Sequence, residues 1–119
     1  MPQIIVKGVK SREMPKMAVE CSAKLADICQ CPQDWFVFDH INSDFYDMNG
    51  KTEHWPVVRV WWFERPQEMQ DEVAKCLNNY VKAIGYRGSQ ISFHIFGYSS
   101  YYEDGEHYSK IKSPPKGGL

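Results

Sequence analysis

Directly after Met1 the chain runs Pro2-Gln3-Ile4-Ile5-Val6-Lys7-Gly8. The run of isoleucine and valine predicts a strand that starts almost at the first residue, and Gly8 marks its end. Ser11 and Pro15 are typical of a helix start, and Pro32 ends the helix. Trp35 to about Ser43, rich in aromatic and β-branched residues, predicts a second strand. The apolar residues of the helix recur at steps of three and four, which is helical spacing: Met14, Met17, Ala18, Cys21, Leu25, Ile28 and Cys29.

The same strand, helix, strand order then occurs a second time. Residues 47–50, Asp-Met-Asn-Gly, predict a hairpin tip between the two halves. Residues 57–63 predict a strand, Pro66 opens a helix and Gly85 ends it, and residues 91–96 predict the last strand. The buried stripe of this second helix is predicted at Met69, Val73, Cys76, Leu77, Tyr80 and Ile84.

Two sequence matches support an internal repeat. Pro56 follows Pro2 by 54 positions, and His94-Ile95 follows His40-Ile41 by the same 54. Each strand-helix-strand unit is expected to be right-handed with parallel strands. The two units are expected to join edge to edge, so that they form one sheet.

The predicted fold class is therefore α/β (α+β): two β-α-β repeats that form one four-stranded mixed sheet with both helices on one face. We predict a single domain over residues 1–109, with repeats at roughly 2–46 and 56–100. A short turn is expected at Asp104-Gly105, and residues 110–119 are predicted to be a disordered tail.

Composition narrows the classes of function. The 119 residues carry 14 Lys and Arg against 15 Asp and Glu, a net charge of −1, which predicts no strong attraction to nucleic acid or to an anionic membrane. No signal peptide and no apolar run of membrane-spanning length occurs, so a cytoplasmic protein is expected. No metal or cofactor is expected.

The four cysteines fit the expectation of a cytoplasmic protein. Cys21, Cys29 and Cys76 fall on apolar helical stripes and are interpreted as small core residues. The alternative is a redox or metal pair at Cys29 and Cys31, although their spacing is not that of a zinc knuckle.

Both faces of the predicted sheet are apolar or aromatic. Val37 and Ile41 point to one face, whereas Phe36 and Phe38 point to the other. Since two helices cover one face only, we predict that copies of the protein bury the second face.

With these features the sequence resembles the tautomerase superfamily, which includes macrophage migration inhibitory factor and 4-oxalocrotonate tautomerase (4-OT). The hallmark is Met1-Pro2 leading straight into a strand, and residues 31–37 resemble the Pro-rich turn before the second strand of migration inhibitory factor. Residues 62–68 and 101–107 look like signatures of a narrower bacterial family within the superfamily. The resemblance spans residues 2 to about 108.

This resemblance implies a homotrimer and a catalytic base at Pro2, exposed by removal of Met1. An α-amino group titrates near ~8, and partial burial beside positive charge lowers that value towards the optimum for a general base. The implied substrate is a small enol or α-keto acid. The alternative is that Pro2 only permits removal of Met1 or starts a strand.

Arginine is the natural partner for a keto-acid carboxylate. Arg65 is expected near Pro2, because the third strand runs antiparallel beside the first. Arg12 lies past the far end of the first strand and is expected to serve only a neighbouring subunit, although it follows Pro2 by the spacing of a substrate-binding arginine in 4-OT. The alternatives are a solvated charge at Arg12 and an exposed helix cap at Arg65.

Further substrate-binding candidates are His94, Ser92 and, more weakly, Tyr102. The first two lie where migration inhibitory factor places polar residues near its proline, although His94 also suits a buried hydrogen-bond partner. A lysine of migration inhibitory factor falls at Gln30 or Cys31 here, and an arginine of 4-OT falls near Val37. The substrate of either relative therefore does not carry over.

Three hypotheses follow. The first is an isomerase with Pro2 as base, and the second is a non-enzymatic trimer that keeps the fold and binds something else. The third is a ferredoxin-like RNA-binding module, against which the near-neutral charge argues. Loss of activity in Pro2→Ala separates the first from the second, and salt-dependent RNA binding would favour the third.

Overall fold

The computed structural model describes residues 2–110, which form one four-stranded sheet in the order β2-β1-β5-β6, two helices and two small hairpins. The elements are β1 (Gln3–Lys7), α1 (Met14–Cys29), β2 (Val37–Ile41), β3 (Phe45–Asp47), β4 (Gly50–Thr52), β5 (Val57–Trp62), α2 (Gln67–Ala83), β6 (Gln90–Ile95), β7 (Tyr102–Glu103) and β8 (Glu106–His107).

The sheet has the predicted mixed topology. β1 pairs in parallel with β2, β5 pairs in parallel with β6, and β1 and β5 are antiparallel at the centre. The two halves start alike: Val37 N donates to the Pro2 carbonyl at 3.4 Å, and Gln90 N donates to the Pro56 carbonyl at 2.9 Å.

The predicted match between His40 and His94 is wrong at the level of structure. Val6 lies opposite His40, whereas its counterpart Val60 lies opposite Phe93. The crossover in the second half is one residue shorter, since Gln3 pairs with Val37 but Val57 pairs with Gln90. A shift of one residue moves a side chain to the other face of a strand, so His94 points away from the helices.

The helix ends follow local backbone chemistry. A 3-10 turn over Ser11–Glu13 precedes α1, and Pro15 lies in its first turn. α1 ends where Gln30 adopts a left-handed conformation with φ of 54°, two residues before the predicted stop at Pro32. α2 ends at the predicted glycine, because Gly85 has φ of 110°.

The core lies between the helices and one face of the sheet. Alternate residues of β1 and β5 are buried there, and both helices contribute apolar side chains. The principal members are Ile4, Val6, Met17, Cys21, Leu25, Cys29, Val58, Val60, Trp62, Val73, Leu77 and Val81. The other face carries exposed apolar residues, Val37 and Ile41 among them. Among residues 2–110, neither helix is long and apolar enough to cross a membrane.

The cysteines behave mainly as core residues. Cys21 and Cys29 are buried, Cys31 and Cys76 are partly buried, and none forms a disulfide. The described part of the chain contains no cluster of three or more His, Cys, Asp or Glu arranged to hold a metal ion.

A small hairpin, β7–β8, lies near the end of the described residues. Its turn is at the predicted Asp104 and Gly105, which both have positive φ, of 50° and 75°. Of the predicted disordered tail, residues 111–119 lie outside the described residues, and Lys110 belongs to a short 3-10 turn.

Gly8→Ala tests the close packing at the end of β1. A Cβ at Gly8 would lie 3.1 Å from Phe45 Cε2 and 3.1 Å from Pro56 Cα, whereas a Cβ at Gly50 would meet nothing within 4 Å. Both glycines have positive φ, so both alanine variants lose about 1–2 kcal/mol of unfolding free energy. We expect Gly8→Ala to lose a further ~1–3 kcal/mol from overpacking in urea denaturation. Equal losses in the two variants would contradict this packing.

The buried thiols make stability depend on alkaline pH. Burial raises the pKa of Cys29 to about 11 and that of Cys21 to about 12, whereas an unfolded thiol titrates near ~8.5. The thiols therefore stabilise the fold fully below about pH 8.5, and this contribution is lost as the pH rises towards those raised values. We expect the unfolding free energy to fall above about pH 9 by up to ~1.4 kcal/mol per pH unit for each thiol. Cys29→Ala is expected to show a shallower slope, and an unchanged slope would rule out this origin.

Candidate functional site

Pro2 lies at the start of β1, under the helix layer. Gln3 pairs with Trp61 in the antiparallel register, and one further step places Pro2 opposite Trp62. Ile4 and Val6 face the helices, so Pro2 faces them too. The Pro2 side chain is fully buried. The described chain therefore begins beside the buried indole of Trp62.

Arg65, three residues after Trp62 in the chain, lies over the same indole. Its guanidinium carbon is 4.4 Å from the centre of the Trp62 ring, and its Nη1 donates to the Phe63 carbonyl at 3.0 Å. Arg65 is only 7% exposed, so it is not the exposed cap that the sequence left open as an alternative. Trp62 therefore lies opposite Pro2 in the strand register and under the guanidinium of Arg65, at one end of the sheet.

Among residues 2–110, no carboxylate forms an ion pair with the guanidinium of Arg65. Its Nε and Nη2 are buried, and no described residue accepts a hydrogen bond from either. Burial lowers the pKa of Arg65, and the thiols of Cys29 and Cys31 are the groups that most oppose this. Burial raises the pKa of both thiols, that of Cys29 to about 11, so they are neutral near pH 7. An unpaired buried cation costs several kcal/mol, and an anion placed there would remove that cost.

Aromatic side chains surround the next residues of the chain. Phe63 is in ring contact with Phe96, Tyr98, Tyr101 and Tyr108. Tyr98 also lines a shallow depression together with Glu64, Arg65, Pro66 and Gln67. This depression leads from solvent to Arg65.

Arg12 lies at the opposite end of the sheet. It belongs to the exposed 3-10 turn before α1, and its Nε is 3.8 Å from Glu13 Oε1. The length of β1 separates it from Pro2. Within one chain the structure does not bring Arg12 to Pro2.

Ser92 and His94 lie on the face of the sheet away from the helices. Ser92 Oγ and His94 Nε2 are 2.9 Å apart, and the His94 ring stacks on Trp61 at 4.5 Å. Tyr102 is exposed on β7 and contacts His107 edge to face. Ser92 and His94 are therefore on the side of the sheet opposite to Pro2 and the core.

The sequence did not predict that Trp62 and Tyr98 lie beside Arg65. A usable signal existed for Trp62: it lies three residues before Arg65, and it alternates with Trp61, so the two indoles occupy opposite faces of β5. No sequence signal placed Tyr98 beside Arg65, because that contact depends on how the chain turns after β6.

The family model described as a domain of unknown function, DUF1904, matches residues 1–107. Comparison with proteins of curated function returns no match.

Three of the solved structures that share the fold illustrate the similarity. A DUF1904 domain from Sebaldella termitidis ATCC 33386 is 29% identical, with a TM-score of 0.83 over 90% of this chain and 99% of that one. A fused 4-OT described as an asymmetric trimer is 9% identical, with a TM-score of 0.78 over 93% and 99% of the two chains. Pt0534, in a form inactivated by 2-oxo-3-pentynoate, is 10% identical, with a TM-score of 0.71 over 92% and 98%. The chain has the fold of the tautomerase superfamily, as its sequence predicts, and it belongs to the DUF1904 family.

Proposed function

We propose that this protein is a tautomerase-like isomerase. In this proposal Pro2, freed by removal of Met1, is the general base, and the substrate is a small enol or α-keto acid. The observation that carries the proposal is the buried guanidinium of Arg65, at the Pro2 end of β1, whose Nε and Nη2 have no acceptor among residues 2–110.

The chemistry requires a base that is neutral near pH 7. The secondary amine of an N-terminal proline meets this requirement, since α-amino groups titrate near ~8 and a neighbouring cation lowers that value. Pro2 takes a proton from the carbon next to the keto group, and the proton returns to the oxygen to give the enol. The reverse sequence gives the keto acid, so no atom is gained or lost.

Arg65 is suited to hold the carboxylate of such a substrate. Its unpartnered Nε and Nη2 form one edge of the guanidinium, and that edge can bind both oxygens of a carboxylate. The Phe63 carbonyl and the Trp62 ring hold the other side of the group. This fixed orientation lowers the entropy that binding costs.

A homotrimer completes the proposal. Val37 is 52% exposed on the open face of the sheet, and the fused 4-OT of the same fold is described as a trimer. In a trimer the exposed Arg12 would serve the site of a neighbouring subunit. His94, Ser92 and Tyr102 would also reach a Pro2 site only from another subunit.

The second candidate function is a non-enzymatic trimer that keeps the fold. The full burial of the Pro2 side chain favours it, because a base must meet its substrate. Removal of Met1 decides between the two candidates, since a proline nitrogen that remains in a peptide bond is not basic.

Covalent labelling tests the base. We expect the intact mass to lack Met1, and 2-oxo-3-pentynoate to add once per chain at Pro2, because an amine adds to an electron-poor alkyne without a leaving group. The check is mass spectrometry of the N-terminal peptide. Arg65→Met is expected to slow labelling at least tenfold, as about 1.4 kcal/mol of lost carboxylate binding would do, while the exposed Arg87→Met serves as the matched control.

Turnover is measured on the same samples as conversion of the enol of phenylpyruvate to its keto form. We expect Pro2→Ala to lower the rate by about 100-fold or more. A protein that retains Met1, or label that appears away from Pro2, would move the assignment to the non-enzymatic trimer.

Light scattering tests the assembly. We expect a mass of three times the 13.9 kDa chain, and Val37→Lys is expected to yield monomers, because a buried charge opposes association. Val19→Lys is the matched control, since Val19 is 64% exposed on α1, outside the sheet. A monomeric wild type, or equal effects of the two variants, would contradict the trimer.

A further inference from the structure

The buried end of the core carries three nitrogen donors that have no acceptor among the described residues. They are Trp62 Nε1, Arg65 Nε and Arg65 Nη2, each inaccessible to solvent and without a partner among the described residues. All three are donors only. Buried polar groups in folded proteins are satisfied in the great majority of cases, so three unsatisfied donors in stacked side chains call for an acceptor with several lone pairs.

We propose that the indole N–H of Trp62 is a binding group of an anion site shared with Arg65, and that this site selects ligands with a single carboxylate. The identity of the ligand as a 2-oxo acid rests on the proposed function. The anion site itself does not require Pro2 to act as a base.

The donors are held in place by packing. The Trp62 ring is 1% exposed, lies 5.1 Å from the Phe93 ring and stacks under the Arg65 guanidinium at 4.4 Å. Arg65 is fixed on its other side by the Phe63 carbonyl. Neither side chain needs to be ordered on binding, so a carboxylate meets preformed donors.

The charge around the site favours a monoanion. Arg65 is the one cationic side chain among the described residues that line the depression, and Glu64 lies exposed at its rim. One carboxylate would neutralise the guanidinium. A second carboxylate would lose water without gaining a cation and would lie near Glu64, which opposes its binding.

We expect removal of Met1 to open the space for the ligand. Met1 is bonded to the Pro2 nitrogen, and Pro2 lies opposite Trp62 in the strand register. Loss of Met1 therefore removes atoms next to Pro2, the residue that neighbours the Trp62 indole. The site is therefore a property of the processed protein, and binding is measured on protein whose mass lacks Met1.

Calorimetry with three ligands tests the selectivity. We expect 2-oxobutanoate to bind, and both its methyl ester and 2-oxoglutarate to bind at least tenfold more weakly. Trp62→Phe keeps a ring but removes the donor, and we expect it to weaken 2-oxobutanoate about tenfold. Trp61→Phe, the neighbouring indole on the other face, is the matched control and is expected to stay within twofold. Equal binding of 2-oxoglutarate, or an unchanged affinity in folded Trp62→Phe, would overturn the proposal.

A second measurement does not depend on the folding of Trp62→Phe. In ¹⁵N-labelled wild type the four indole signals are assigned by elimination, with Phe variants of Trp35, Trp55 and Trp61. We expect 2-oxobutanoate to shift the Trp62 signal and slow its hydrogen exchange, and a Trp62 signal that does not respond would overturn the proposal.

The same titrations in Pro2→Ala separate this proposal from the proposed function. Binding retained in Pro2→Ala, with no turnover in wild type, would refute the isomerase and support the anion site. Turnover in wild type, with a Trp62 signal insensitive to ligand, would support the isomerase and refute the role of Trp62.

Discussion

The antiparallel pairing of β1 with β5 is the constraint on which the rest of the molecule depends. It is the only contact between strands of the two halves in the four-stranded sheet of the described residues. Because the strands run in opposite directions, the start of β1 meets the end of β5. Pro2 therefore lies beside Trp62, and the chain that leaves β5 carries Arg65 over the same indole. A parallel arrangement would have put these residues at opposite ends.

The burial of Arg65 is a local cost that the remaining core offsets. A desolvated cation–π contact contributes about 2 kcal/mol, whereas removing a guanidinium from water without a counter-ion costs several kcal/mol. The neighbouring thiols do not reduce this cost, since burial holds their pKa values above neutral pH. A protein that holds such a buried, unpaired cation gains the most free energy where a ligand supplies a negative charge beside it.

The sequence predicted the fold because the fold rests on local, periodic signals. Apolar steps of three and four predicted both helices, and alternation with Gly and Pro punctuation predicted the main strands. The candidate site was harder to predict from the sequence, because it depends on which face of a strand each side chain lies on. The prediction that Arg65 lies near Pro2 used only strand direction, but its burial depends on the Trp62 ring beneath it. Ser92 and His94 are predicted by their position along a strand, but the crossover of the second half is one residue shorter, and both side chains lie on the face away from the helices.

The internal repeat also explains why the site occurs once. At the other end of the β1–β5 pair the register puts Gly8 opposite Pro56, as it puts Trp62 opposite Pro2. Pro56 lies within the chain and has no free amine, and a Cβ at Gly8 would lie in tight contact with it, 3.1 Å from Pro56 Cα. Ser11 is the counterpart of Arg65 in the first half. The two ends have the same backbone arrangement but different side chains. One end combines Pro2, the indole of Trp62 and the buried cation of Arg65. At the other end Gly8 packs against Pro56.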